Sequence, residues 1–150
     1  MERVVCTESV SNGAPSAALA SNHLFQVLDT KGQGQVEVHA LLEALRAMGL
    51  SLKDPRLAEM LEAIEVHPRA SLDEEAFEHI VRPAERIVTR ALRAEMVIPD
   101  WASFSSSLEG MFWETAKNTE GKVAAYIPQL GRVDPEHWGV AVCTIDGQCM

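Results

Sequence analysis

The sequence predicts a mainly α-helical chain, in which two helix–loop–helix units precede a longer helix and then the first strand and turn of an α/β region. Three observations predict it. Apolar residues recur at three- and four-residue intervals from Leu24 to Leu92. Two turn-forming stretches interrupt that pattern, each followed by an isolated apolar residue, Val36 and Leu72, 36 positions apart. Beyond them, Gly139 to Ile145 is a short apolar run rich in β-branched residues that ends in Asp146-Gly147, a hairpin-turn signal.

Met1 to Ala20 mixes Ser, Ala, Gly and Pro without apolar periodicity and reads as a flexible leader, with order beginning near Ser21. Leu24, Phe25 and Leu28 then sit at helical spacing up to the turn-rich Asp29-Thr30-Lys31-Gly32-Gln33-Gly34. Glu37 to Met48 puts Leu41, Leu42, Leu45 and Met48 on one face, and Gly49 supplies a left-handed stop. A third helix starts at Asp54-Pro55, where the carboxylate caps free amides and proline gives up no hydrogen bond; Leu57, Met60, Leu61 and Ile64 form its apolar stripe. Asp73 caps a fourth with Phe77, Ile80 and Val81. Pro83 breaks the run, after which Ile87, Val88, Ala91 and Leu92 give a fifth helix expected to end near Val97-Ile98-Pro99. Asp100 caps a sixth, with Trp101, Phe104, Leu108, Met111 and Phe112 on one broad face and Gly121 as its stop. The expected organisation is a leader over 1–20, a helical domain over 21–96, and a connecting helix with an incomplete α/β start over 97–150. Val140 to Ile145 carries apolar or β-branched side chains on both faces, as a strand buried within a sheet would, and a sheet of one and a half strands is unstable alone. The 121–150 segment is therefore expected to be locally unstable beside the helices.

Residues 29–40 fit the frame of a calcium-binding EF-hand loop: Asp29 stands first, Gly34 sixth at the sharp turn, and Val36 at the apolar eighth place. The ligand positions do not follow. Lys31 is third, Gln33 fifth, and Ala40 occupies the twelfth, where a bidentate carboxylate is required. An ammonium aimed at a divalent ion a few Å away is unfavourable by on the order of several kcal/mol even at an effective dielectric near 20. The matching second loop, Glu65 to Ala76, has His67, Arg69 and Ala76 at the same places. The pair is read as a degenerate EF-hand scaffold without a metal.

Composition excludes other classes. The chain has 150 residues, 47% hydrophobic and 23% charged, with a formal charge of -9 and pI ≈ 5.0, which argues against a nucleic-acid partner. No apolar run is long enough for a membrane span, and Arg3 between Glu2 and Glu8 is unlike a mitochondrial transit peptide. Cys6, Cys143 and Cys149 form neither a CxxC nor a zinc pattern, so a reducing, intracellular setting is the simpler reading, and Cys143, in an apolar strand, reads as an inert buried thiol. No Ser-x-x-Lys, Gly-x-Ser-x-Gly, His-Glu-x-x-His or phosphate loop occurs in these residues, and Glu74/Glu75 fits a solvated helix face. No cofactor is expected.

Val97-Ile98-Pro99-Asp100-Trp101, Gly121 to Leu130 (Gly-Lys-Val-Ala-Ala-Tyr-Ile-Pro-Gln-Leu) and Trp138 to Gln148 (Trp-Gly-Val-Ala-Val-Cys-Thr-Ile-Asp-Gly-Gln) resemble, in this order, the opening of the catalytic domain of animal kidney- and liver-type glutaminases. Asp54-Pro55-Arg56-Leu57 and the degenerate loop pair resemble the helical region that precedes it. The resemblance implies hydrolysis of L-glutamine to glutamate and ammonia on a fold similar to serine β-lactamases, by a Ser-x-x-Lys nucleophile that these residues do not contain. It further implies a mitochondrial location and homo-oligomers activated by phosphate. Tyr126 matches the family tyrosine that lines the glutamine pocket; alternatively it is a packed aromatic held by Ile127-Pro128, the reading favoured for these residues alone. Two functions stay open: a regulatory and assembly region of a glutaminase, inactive by itself and binding glutamine only with the catalytic domain completed, or a stand-alone, calcium-independent interaction module. A fragment or a splice product would explain the break after Asp146-Gly147-Gln148, where the family runs on into a return strand.

Overall fold

The computed structural model describes residues 17–67 and 69–150. The architecture is mainly helical with one two-stranded antiparallel sheet. α1 (Ala17–Leu28) leads into the first loop, β1 (Val36–Glu37) and α2 (Val38–Ala47). A 3-10 turn, Pro55–Leu57, opens α3 (Ala58–Val66); β2 (Ser71–Leu72) and α4 (Glu74–Val81) complete the second unit. A second 3-10 turn over Arg82–Ala84, imposed by Pro83, joins α4 to α5 (Glu85–Leu92), and α6 (Trp101–Thr115) follows. Ala17–Ala20, expected within the leader, form the start of α1, while the rest of the leader reading lies outside the described residues.

Local chemistry sets the starts of these helices. Asp54, Asp73 and Asp100 each accept a backbone N–H inside the helix or 3-10 turn they precede, from Arg56, Ala76 and Ser103 at 2.9, 2.9 and 3.0 Å. α2 stops at a Schellman turn: Gly49, at φ 81, donates to the Arg46 carbonyl and Leu50 to that of Leu45. Leu45 and Leu50 are both buried, which is the apolar contact this motif favours.

The stripes face one core. Leu24, Leu41, Leu45, Leu57, Met60, Phe77, Val81 and Val88 are all at most 1% exposed, and the Phe25 and Phe77 rings meet edge to face at 5.5 Å, joining α1 to α4. Val36 pairs with Leu72 and Glu37 with Ser71, so the two loops are tied back to back at the residues that follow their turns. Both apolar partners are buried, which fixes this register, since a one-residue slip would turn them to solvent.

Three expectations are corrected. α5 ends at Leu92, because Arg93 and Ala94 turn the chain: Ala94, at φ 54, donates to the Ala91 carbonyl and Glu95 to that of Arg90. This is again a Schellman stop, built on alanine where glycine is usual. α6 ends at Thr115, six residues short of Gly121, and among its residues only Trp101 is buried, against Gly49. The run expected as a double-faced buried strand is instead the first arm of a short hairpin, with Ile145 99% and Val140 44% exposed. Val142 and Met150 exchange two backbone bonds, Thr144 pairs with Gln148, and Ile145-Asp146-Gly147 forms a three-residue loop with Gly147 at φ 98. The inward positions are Asp146 and Gln148, polar residues that meet helix-flanking backbone.

Candidate functional site

In the first loop, Gly32 and Gly34 adopt left-handed φ of 61 and 69, which curls successive amides around Asp29. Its carboxylate accepts from Gln33 N at 3.0 Å and Gly34 N at 2.6 Å. The Gln33 amide is the main cause that holds the Asp29 carboxyl below its usual 3.8, against the opposing effect of desolvation, with the Gly34, Gly32 and Lys31 amides assisting. The carboxylate that would be the first calcium ligand thus bonds its own loop, while Lys31, Gln33 and Ala40 point into solvent. In the second loop His67 Nδ1 accepts from Arg69 N at 3.3 Å, and Asp73 serves as the cap of α4. Among the described residues no three His, Cys, Asp or Glu side chains come together as a metal site would require.

Tyr126 lies in an irregular arm, residues 117–141, that returns along α6. It is 82% exposed. The arm is anchored by Trp138, whose indole stacks on Phe112 with centroids 4.3 Å apart and planes 11° from parallel. A cleft of about 500 Å³ opens between the end of α6 and Val133 to Trp138, lined by Asn118, Glu120, Lys122 and His137; Tyr126 is not part of it. The structure therefore brings Tyr126 to no nucleophile–base pair among the described residues.

The densest polar cluster is one the sequence reading missed. Asp146 and Gln148 are 5% and 0% exposed. Gln148 Nε2 donates to the carbonyls of Met48 and Ile98, at 2.8 and 2.9 Å, and its Oε1 accepts from Ile98 N at 2.9 Å. Asp146 accepts from the Thr144 hydroxyl, from Val97 N at 2.7 Å and from Arg90 at 3.2 Å. Burial by itself would raise the Asp146 carboxyl, but the Thr144 hydroxyl, the Val97 amide and Arg90 together bring it below 3.8. Arg56 grips Asp54 through two bonds and reaches on to the Asp146 carbonyl at 2.8 Å. A bond from Cys149 N to the Gly49 carbonyl completes the seam. The only trace of this in the sequence is the set of polar residues Thr144, Asp146 and Gln148 around the Asp146-Gly147 turn. Cys143, expected as a buried thiol, is exposed beside Cys149, because the inward register belongs to its polar neighbours.

A family model described as an EF-hand domain matches residues 20–99, and one described as glutaminase matches residues 121–150. A Caenorhabditis elegans protein named "Putative glutaminase 2" is 35% identical over 83% of this chain and 23% of its own length. The mouse (Mus musculus) "Glutaminase liver isoform, mitochondrial" is 37% identical over 79% of this chain and 20% of its length. The "Glutaminase" of Agrobacterium fabrum is 61% identical, but over only 19% of this chain and 9% of its length. The chain spans between 20% and 25% of the length of the animal relatives it matches. With an EF-hand domain match over more than half of its residues, the chain belongs to the EF-hand domain family, and its residues 121–150 are similar to the glutaminase family.

Proposed function

We propose that this chain is the regulatory and assembly region of a glutaminase, which hydrolyses L-glutamine to L-glutamate and ammonia, and that these residues by themselves are not catalytic. One observation carries the reading: the segment matched to glutaminase, through Asp146 and Gln148, is bonded to the backbone that flanks α2 and α6, so the helix pair holds the opening strand of the catalytic part in a set position. The loop pair supports this role as a packing device, since Val36 and Leu72 tie it together while Asp29 is engaged by its own loop. Calcium plays no part in this function. In a catalytic domain similar to the serine β-lactamases, Tyr126 would face the substrate, donating a hydrogen bond or relaying a proton to the reacting amide. Its exposure in this chain fits a side chain that awaits that partner surface. The name of the mouse relative supports a mitochondrial location, and self-association into a homo-oligomer belongs to the same reading.

The test is an ammonia-release assay on the 150-residue chain and on the same chain continued through the downstream sequence of the mouse relative. The expected result is background release from the first and glutamine hydrolysis by the second, with Tyr126→Phe lowering turnover of the extended protein by about 10- to 100-fold and leaving its melting temperature unchanged. Hydrolysis by the 150-residue chain, or full turnover by the tyrosine variant, would overturn the respective assignment.

A further inference from the structure

We propose that Cys143 and Cys149 form a two-thiol redox site, which a low-molecular-weight disulfide oxidises to an intrachain disulfide across the hairpin. The inference does not rest on the glutaminase reading; it rests on register and exposure. Cys143 and Cys149 are directly opposed in an antiparallel bridge. The pairs on either side of them, Val142 with Met150 and Thr144 with Gln148, carry the hydrogen bonds, which makes Cys143 and Cys149 a non-hydrogen-bonded pair. Such pairs hold their Cα atoms about 4.5 Å apart, inside the roughly 4.4–6.8 Å span that a disulfide bridges without backbone movement. Because Asp146 and Gln148 take the inward face, both thiols point to the outer face, where both are exposed, and the Cys149 thiol donates to the Cys143 sulfur at 2.7 Å.

The same contact bears on the thiol chemistry. Its hydrogen bond to Cys143, then burial, then the charges of Cys143 and Asp54 hold the Cys149 proton above the usual 9.0. Either thiol can open the exchange. When Cys143 attacks, its thiolate forms a bond to one sulfur of the incoming disulfide and expels the other half as a thiolate. Cys149 then gives up its proton to solvent or to that leaving thiolate and attacks the Cys143 sulfur, releasing the second half. Two protein thiols and one small disulfide become one protein disulfide and two small thiols; the protein loses two electrons and the reagent gains them. The closed ring contains Thr144, Asp146 and Gln148, so oxidation clamps the residues that dock the hairpin to the helices. An exposed cross-strand bond is also readily reduced, which suits a reversible site.

The experiment uses the full chain carrying Cys6→Ser, so that only the paired thiols react, treated with glutathione disulfide, quenched in acid, alkylated and mapped by mass spectrometry. Expected is a peptide lighter by two hydrogen atoms with Cys143 joined to Cys149, and exchange of the Thr144 and Gln148 amides roughly tenfold slower than in the reduced chain. Cys149→Ser should halt at a stable mixed disulfide on Cys143, and Cys143→Ser at one on Cys149. Both thiols remaining alkylatable in glutathione disulfide alone, or a wild-type pair that accumulates mixed disulfides without closing, overturns the site. Faster amide exchange after closure overturns the clamp.

Discussion

In the hairpin over 142–150 the residues taken from solvent are polar, whereas in α6 and the arm behind it the residues left in solvent are apolar. Gln148 is 0% exposed; Trp113 and Met111 are 61% and 57% exposed. The difference lies in what each region finds on the helices. The turn at Met48–Gly49 and the bend at Val97–Ile98 leave backbone groups that no helix satisfies, and buried groups of that kind need partners. Gln148 offers one carbonyl and two N–H donors at the right spacing, and Asp146 offers acceptors for Val97 and Arg90. Beyond its first turn the polar side chains of α6 bond within the helix itself, Ser107 to the Ser103 carbonyl, Trp113 to Glu109 and Thr115 to the Met111 carbonyl. Polar satisfaction, more than hydrophobicity, selects which part of the C-terminal third is docked.

The largest effect is expected where the dock is densest. Gln148→Ala leaves the Met48 carbonyl and both backbone groups of Ile98 without their side-chain partner and opens a void at a fully buried site. A loss of about 2–4 kcal/mol is expected in urea unfolding. Gln148→Glu separates the two causes, since it keeps the volume and the bond to Ile98 N but turns an acceptor toward two carbonyls. A loss under about 0.5 kcal/mol for both variants would show that the hairpin is not held in this way.

This contrast was only half legible in the sequence. The helices were readable because periodicity and caps agree: Asp54, Asp73 and Asp100 stand at the helix starts, and Leu41, Leu45, Phe77 and Val88 fall on buried faces. Val36 and Leu72, matched in the sequence as equivalent loop positions, are the residues that pair in the sheet. The end of α5 was hidden, because its left-handed stop is Ala94 and alanine carries no such signal. The dock was hidden for a deeper reason. Its partners are backbone groups of Met48, Val97 and Ile98, about 50 to 100 positions away, and a local pattern does not register them. Tyr126, for its part, was singled out by resemblance, and nothing in its surroundings among the described residues adds to that.

Acid should sharpen the comparison with an intermediate effect. The folded Asp146 carboxyl lies below 3.8, as does that of Asp54, whose bond to the Arg56 side chain is the leading cause. A lowered carboxyl contributes stability that is fully present above its unfolded value and is lost as pH falls through the folded one. Docking should therefore be constant from neutral pH down to about 4 and weaken below it, whereas the arm on α6, held by aromatic stacking, should not follow that titration. Hydrogen exchange at the Thr144 and Gln148 amides, corrected for the intrinsic pH dependence of exchange, checks this against the Asp146→Asn variant. That variant should open the hairpin by about 1–2 kcal/mol at neutral pH and flatten the acid dependence. An acid response of equal size in the variant would assign the effect elsewhere.

The smallest effect is expected at the aromatic stack of the arm on α6. Trp138 stacks nearly parallel on Phe112, yet it is 47% exposed, and the residues around it are open to solvent on most sides. Such a pair contributes about 0.5–1.5 kcal/mol, and half-burial puts this one toward the lower end. Because the arm has few other apolar contacts, Trp138→Ala should release it locally: the near-ultraviolet circular dichroism of the stacked pair falls, and amides from Val133 to Val142 exchange faster. The helical core shares no buried side chain with Trp138, so its urea midpoint should move by less than about 0.5 kcal/mol. A shift comparable to that of Gln148→Ala would mean that arm and hairpin form one cooperative unit. The division between a docked strand and a loosely stacked arm would then fail.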